Sequence, residues 1–299
     1  MLKYIRPFLC ILSAFLVILL FSCGTVVPDS VGNNTMADII APPKYPVILV
    51  HGIAAHDRGG LIDYWGRIPD TLKMKGVKVF LGNTDSWGDY DSNAEILKTT
   101  IDKVLEETNS EKVNIIAHSK GGIDSRYLIW KYNYGNKVAS LTTISTPHHG
   151  AEIADLIYKQ GIVHSSMVRR TLIVFGKFFG DTNPDPYSLN YQLTTENMKE
   201  FNEKIGMDHN VYYQSMYTTM NNPFDDLMFT SSYWYIKGIR GDNDGLVSEW
   251  SARWGDNIIK IEGGISHADI IDYKKKNISG INIPDIYINI VNKLSEMGF

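Results

Sequence analysis

The sequence predicts an α/β fold: a mostly parallel central sheet with helices on both faces and a lid or cap inserted into it. Short apolar runs alternate with stretches of helical spacing, and four strands separated by helices argue for parallel pairing through right-handed crossovers. The first of these runs is apolar throughout, the pattern of a strand covered on both faces. No internal repeat and no break in composition across the 299 residues marks a second domain.

The elements follow in chain order. Lys3 and Arg6 precede an apolar run at residues 7–21, too short for a comfortable membrane span and suited to a signal segment. It ends in Leu20-Phe21-Ser22-Cys23-Gly24, which looks like the lipobox of bacterial lipoproteins, although Phe21 departs from it. Residues 1–22 are therefore expected to be a signal peptide of lipoprotein type. The exported chain is expected to be anchored to the cell envelope through an acylated Cys23, or otherwise secreted. Residues 23–44, rich in Pro, Gly and Asn and without a period, read as a flexible tether, so the domain is expected over 45–299.

Within it, residues 46–51 read as a strand ending at Gly52, 64–74 as a helix and 77–81 as the next strand. Ser92-Asn-Ala-Glu95 reads as a capping box. Behind it Leu97, Ile101, Val104 and Leu105 share a helical face. Residues 113–117 are a third strand, 122–132 a helix and 137–144 a fourth strand. Residues 151–191 read as the insertion, with an apolar cluster at Leu172-Ile-Val-Phe175, Phe178 and Phe179 among Arg169, Arg170 and Lys177. Residues 234–239 look strand-like.

Composition narrows the function. A net charge of −4 without a basic block argues against nucleic-acid binding. Two cysteines exclude a disulfide framework and a cysteine-rich zinc site. No pair of histidines stands at metal-ligand spacing on a helix beside an acid, against a metallohydrolase.

Ala117-His-Ser-Lys-Gly121 stands between an apolar strand and a helix. A serine hydroxyl becomes a useful nucleophile only when it is exposed, aimed and near a base. A sharp strand-to-helix turn aims it and demands small residues two places to either side, here Ala117 and Gly121. The amide of Lys120 and that of Ile53, in the loop after the first strand, suit a developing oxyanion. A base and an acid are then needed. His267 in Gly264-Ile-Ser-His-Ala-Asp269 offers the base, and Asp244 in Asp242-Asn-Asp-Gly-Leu-Val247 the acid, with Asp242 its rival. His118, His148, His149, His56, His164 and His209 read as structural or surface residues.

Five segments occur together in order: Tyr45-Pro-Val-Ile-Leu-Val-His-Gly52, Val113-Asn-Ile-Ile-Ala-His-Ser-Lys-Gly-Gly122, Ser145-Thr-Pro-His-His-Gly150, Asn243-Asp-Gly-Leu-Val247 and His267-Ala-Asp269. Over residues 45–273 the chain resembles the bacterial triacylglycerol lipases of the Pseudomonas and Burkholderia type, which are α/β-hydrolases. The resemblance implies Ser119 as nucleophile, His267 as base, Asp244 as acid, Ile53 and Lys120 as oxyanion donors, and a lid after Gly150. It implies lipid-ester cleavage through an acyl-enzyme. The same residues would serve a short-chain carboxylesterase, and an inactive lipid- or partner-binding surface lipoprotein is the reading from another class. No cofactor is required by this chemistry. The resemblance also implies a structural calcium, and here the sequence departs: Asp269 matches one ligand, but Asn222 stands where a second aspartate is expected and Tyr273 where a glutamine shapes the loop. Asp225 or Asp226 are the available substitutes.

Overall fold

Among the described residues, six strands form one sheet, parallel throughout, in the order β2-β1-β3-β4-β5-β6. They are β1 (Val47–Val50), β2 (Val79–Leu81), β3 (Val113–His118), β4 (Val138–Ile144), β5 (Tyr212–Thr218) and β6 (Ile258–Ile261). The computed structural model describes Asp38, Asp57 and residues 41–53, 63–178 and 180–299. The expected signal segment, Cys23, His56, Phe179 and nearly all of the tether lie outside the described residues. Among those described, no helix is long and apolar enough to cross a membrane.

Strand periodicity divides the core in two. Val47 and Leu49 of β1 point to one face with Val79, Ile116, Ile144 and Met216. There α1 (Ile68–Met74) and α10 (Ile283–Glu296) cover them through Ile68, Leu72, Tyr287, Ile288 and Val291. Ile48 and Val50 point the other way with Ile115, Ala117 and Leu141. On that side α2 (Tyr90–Thr108) and α3 (Lys120–Tyr132) supply Leu97, Ile101, Val104 and Leu128. Every residue of β1, β3 and β4 is buried, and β1 accordingly reads as an unbroken apolar run, while β3 and β4 also bury Asn114, Ser140, Thr142 and Thr143.

Three expectations need correction. The helix after β2 does not start with a Ser92–Glu95 box. It begins at Tyr90, and Asp89 is its cap, accepting from the Ser92 amide at 2.7 Å. Residues 234–239 are not a strand but lie in α8 (Thr230–Arg240). Tyr233 and Ile236 are buried while Trp234 and Ile239 are exposed, a helical rather than an alternating division. The sheet has two strands beyond the four expected. β5 was hidden by Gln214 and Ser215, polar residues whose side chains are satisfied inside: Gln214 donates to Thr142 Oγ1 at 2.9 Å and Ser215 to the Trp254 carbonyl at 2.7 Å. β6 is a short edge strand with exposed Ile258 and Ile259.

After β4 the chain forms α4 (Glu152–Lys159), α5 (Ser166–Phe178), α6 (Pro186–Gln192) and α7 (Thr195–Lys204). Ala154, Leu189, Leu193, Met198 and Phe201 pack with Ile123 of α3 and with Ile53. Helix α5 is mostly outside: Met167, Val174 and Phe178 are all exposed. A reciprocal staple ties the segment down. Asp181 accepts from the amides of Ser86 and Trp87 at 2.8 and 2.9 Å, while Asp85 accepts from those of Thr182 and Asn183. The short helix α9 (Glu249–Ala252) completes the numbering.

Candidate active site

Strand β3 delivers Ser119 to the start of α3 in a backbone conformation, φ 55° and ψ −131°, that an L-residue rarely adopts. The turn is held by its surroundings. The Ser119 amide donates to Ile144 O at 2.9 Å, and Thr146 Oγ1 donates to Ser119 O at 2.8 Å. A Cβ on Gly121 would stand 2.5 Å from the carbonyl oxygens of Val50 and His51. No side chain fits there without moving the sheet, which is the physical content of the small-residue requirement. Lys120 follows directly, its side chain turned inward to Asp124 Oδ2 at 2.6 Å.

The residues from the other end of the sheet converge on this turn. Ser119 Oγ lies 3.0 Å from His267 Nε2, and His267 Nδ1 lies 2.7 Å from Asp244 Oδ2. With Nδ1 donating to the carboxylate, Nε2 is the acceptor that faces the serine hydroxyl. The second oxygen of Asp244 accepts from the amides of Leu246 and Val247 at 3.0 and 2.8 Å. The His267 amide donates to Asp244 O at 2.8 Å. The carboxylate is thus held by its own turn as well as by the imidazole. Asp242, the rival acid, instead pairs with Lys237 on the surface, and that ion pair lowers its pKa.

Ile53 follows Gly52, whose α-carbon closely approaches Ser119: a Cβ there would be 2.7 Å from Ser119 Cβ. The Gly52 amide is already spent on Tyr64 Oη at 2.8 Å, and that hydroxyl donates to His118 Nδ1 at 2.7 Å. Burial raises the Tyr64 pKa strongly and lowers that of His118, with the nearby His267 adding to the second shift. Tyr64 therefore stays a phenol and His118 a neutral ring, 4.5 Å from the His267 ring between centroids. Tyr64 was legible only as a helix residue; nothing local in the sequence joins it to Gly52 and His118.

The remaining histidines of the sequence motifs lie elsewhere. His148 takes a hydrogen bond from Arg126 at 3.1 Å and stacks on Trp254, and His149 sits 3.1 Å from the Arg253 carbonyl. His164 packs among Tyr158 and Tyr187.

The residues proposed for calcium do not fit one. Asp225 accepts from the amides of Asn221 and Asn222. Between Asp226 and Asp269 stands the Lys274 ammonium, 3.0 Å from an oxygen of each. A calcium ion needs six to eight oxygens, and here a cation already occupies the gap between the two buried carboxylates.

Comparison with known proteins agrees with the architecture. A family model described as palmitoyl protein thioesterase matches residues 46–229. The chain is 35% identical over 183 residues to a triacylglycerol lipase of Pseudarthrobacter phenanthrenivorans, covering 56% of each chain. It is 35% identical over 183 residues to a triacylglycerol lipase of Burkholderia plantarii, covering 56% of this chain and 50% of the other. The chain thus spans about half the length of these curated relatives. The solved structure of a Bacillus licheniformis lipase in its mature form superposes with a TM-score of 0.62 at 22% identity, over 85% of this chain and 96% of that one, and shares its fold.

Proposed function

The chain belongs to the palmitoyl protein thioesterase family, and on that premise we propose that it is a serine hydrolase cleaving carboxylic esters of lipids, with triacylglycerols as the leading substrate class. The observation that carries this reading is the unbroken relay Asp244–His267–Ser119, with hydrogen-bond distances of 2.7 and 3.0 Å. His267 takes the proton as Ser119 attacks the ester carbonyl, and Asp244 stabilises the imidazolium. The amides of Ile53 and Lys120 receive the oxyanion, each worth about 3–4 kcal/mol in a site of this kind. The alcohol leaves with a proton from His267, and water activated by the same ring releases the fatty acid. The exposed apolar residues of α5, with Arg169, Arg170 and Lys177 on the same segment, favour a lid that meets a lipid surface. Export and anchoring through Cys23 belong to the same proposal and are tested by loss of acyl labelling in Cys23→Ala.

The family match favours a second reading, in which the acyl group comes from a thioester. A thiolate leaves without protonation more readily than an alkoxide, so thioester cleavage leans less on His267 as an acid. The decisive experiment gives purified protein a fluorophosphonate probe, emulsified long-chain triacylglycerol, a soluble short-chain ester and a long-chain acyl thioester. The lipase reading expects labelling and cleavage of the emulsion, both abolished in a folded Ser119→Ala. Cleavage of the soluble ester alone leaves a short-chain esterase, and preference for the thioester selects the second reading. A folded wild type that takes no label and cleaves nothing leaves a binding protein.

A further inference from the structure

We propose that Lys274 is a built-in counter-ion that positions the catalytic His267 loop, its ammonium standing in for a structural metal ion, so that the hydrolase works without calcium. The role at His267 rests on the functional reading above; the cation's structural role does not.

The geometry is a closed ring. Lys274 Nζ lies 3.0 Å from Asp226 Oδ2 and 3.0 and 3.3 Å from the two oxygens of Asp269. Asp226 Oδ2 also accepts from Ser266 Oγ at 2.8 Å, and Ser266 Oγ accepts from the Asp269 amide at 3.1 Å. Ser266 and Asp269 stand immediately before and two residues after His267. One ammonium therefore gathers both sides of the loop that carries the base, and ties it to Asp226, the residue that caps the turn at 227–229.

The charges require such a cation. Asp226 and Asp269 are almost fully buried. Burial pushes the Asp269 carboxyl up, and the neighbouring Asp226 charge pushes the same way, while Lys274 pulls it down. Two carboxylates in that position repel each other unless a cation lies between them. An ammonium fits where a divalent ion does not: it offers three donors to a few oxygens and needs no cage of six or more. A second clamp holds the end of the loop. Asp272 accepts from the Arg67 amide, Nε and Nη2 at 2.8, 2.8 and 2.7 Å, fixing the loop to the start of α1.

The test measures thermal midpoint, kcat and KM on a soluble ester for wild type and Lys274→Met, each in EDTA and in millimolar calcium. Wild type is expected to show the same values in both. Lys274→Met is expected to lose roughly tenfold or more in kcat with KM within about twofold, because the base is misplaced while the binding surface is intact. Its midpoint should fall to the same extent in EDTA and in calcium, because removing the ammonium adds none of the further oxygens that a calcium ion needs. A wild-type midpoint that rises with calcium or falls with EDTA overturns the proposal, as does a Lys274→Met enzyme with wild-type kcat. The wild-type arm decides even if the variant does not fold. Midpoints do not depend on ester cleavage. If wild type proves inactive on every ester, the functional reading fails while the metal-independent brace is still judged by them.

Discussion

At the residue scale, the Ser119–His267–Asp244 relay is braced by side chains outside it. Tyr64 is the instructive one. Its hydroxyl accepts from the Gly52 amide and donates to His118, so it joins the proposed oxyanion loop to the residue before Ser119. Tyr64→Phe keeps the ring and removes only the oxygen. It leaves a buried amide and a buried imidazole nitrogen unpaired, at a cost of about 1–3 kcal/mol. We expect a loss of that size in chemical denaturation, with a fall in kcat as the backbone around Ile53 loosens. An unaltered denaturation midpoint would show that water replaces the hydroxyl freely. Ser119, His267 and Asp244 were all legible, because nucleophile turn, acid loop and histidine loop each carry a local pattern. Lys274 and Tyr64 were not. A lysine in a run of three and a tyrosine in a helical stretch have no local mark, and each joins a nearer residue to one 48 or 54 positions away.

At the element scale, helical spacing was reliable where a strand or helix is covered by apolar neighbours, and misleading where polar groups are buried. β5 carries no apolar strand signature because Gln214 and Ser215 are satisfied by Thr142 and Trp254 rather than by water. The stretch at 234–239 looked like a strand because its aromatic and apolar residues crowd together, yet packing sorts them onto two sides of a helix. The segment of α4 to α6 is the element whose attachment matters most. The apolar residues Met167, Val174 and Phe178 of α5 are exposed, and the Asp85–Asp181 staple ties the segment to the loop before α2. Asp181→Ala removes the acceptor of two backbone amides. It should cost about 2 kcal/mol in local opening, read as faster hydrogen exchange and easier proteolysis over residues 160–183. Equal protection in variant and wild type would mean that apolar packing, not the staple, holds the segment.

At the scale of the whole molecule, stability in acid is the accessible property. Asp102 on α2 binds Lys98, Lys137 and the Tyr134 hydroxyl, linking that helix to the start of β4. Burial alone raises its pKa, but the hydrogen bonds from Lys137, Lys98 and Tyr134 outweigh it and bring the value down to about 2. A carboxylate whose folded pKa lies below its unfolded one stabilises the fold above the unfolded value, and that contribution disappears as pH falls through the folded value. Asp102→Asn should therefore flatten the acid limb of stability between about pH 4 and 2. The effect is well under the full linkage value, on the order of 1 kcal/mol or less, since the group is partly exposed and screened. Parallel acid titrations of both proteins by circular dichroism check it, and superimposable acid limbs would refute it. By itself the sequence determined the alternation of layers, the sharp turn at Ser119 and the two loops that would offer an acid and a histidine. Those are written in short-range patterns of size, polarity and periodicity. Tertiary structure alone decided that Asp244 rather than Asp242 faces the imidazole, that the sheet has six strands, and that a lysine lies between Asp226 and Asp269. Each of these depends on distances between remote residues, and such distances arise only when the buried faces of the sheet close against their helices.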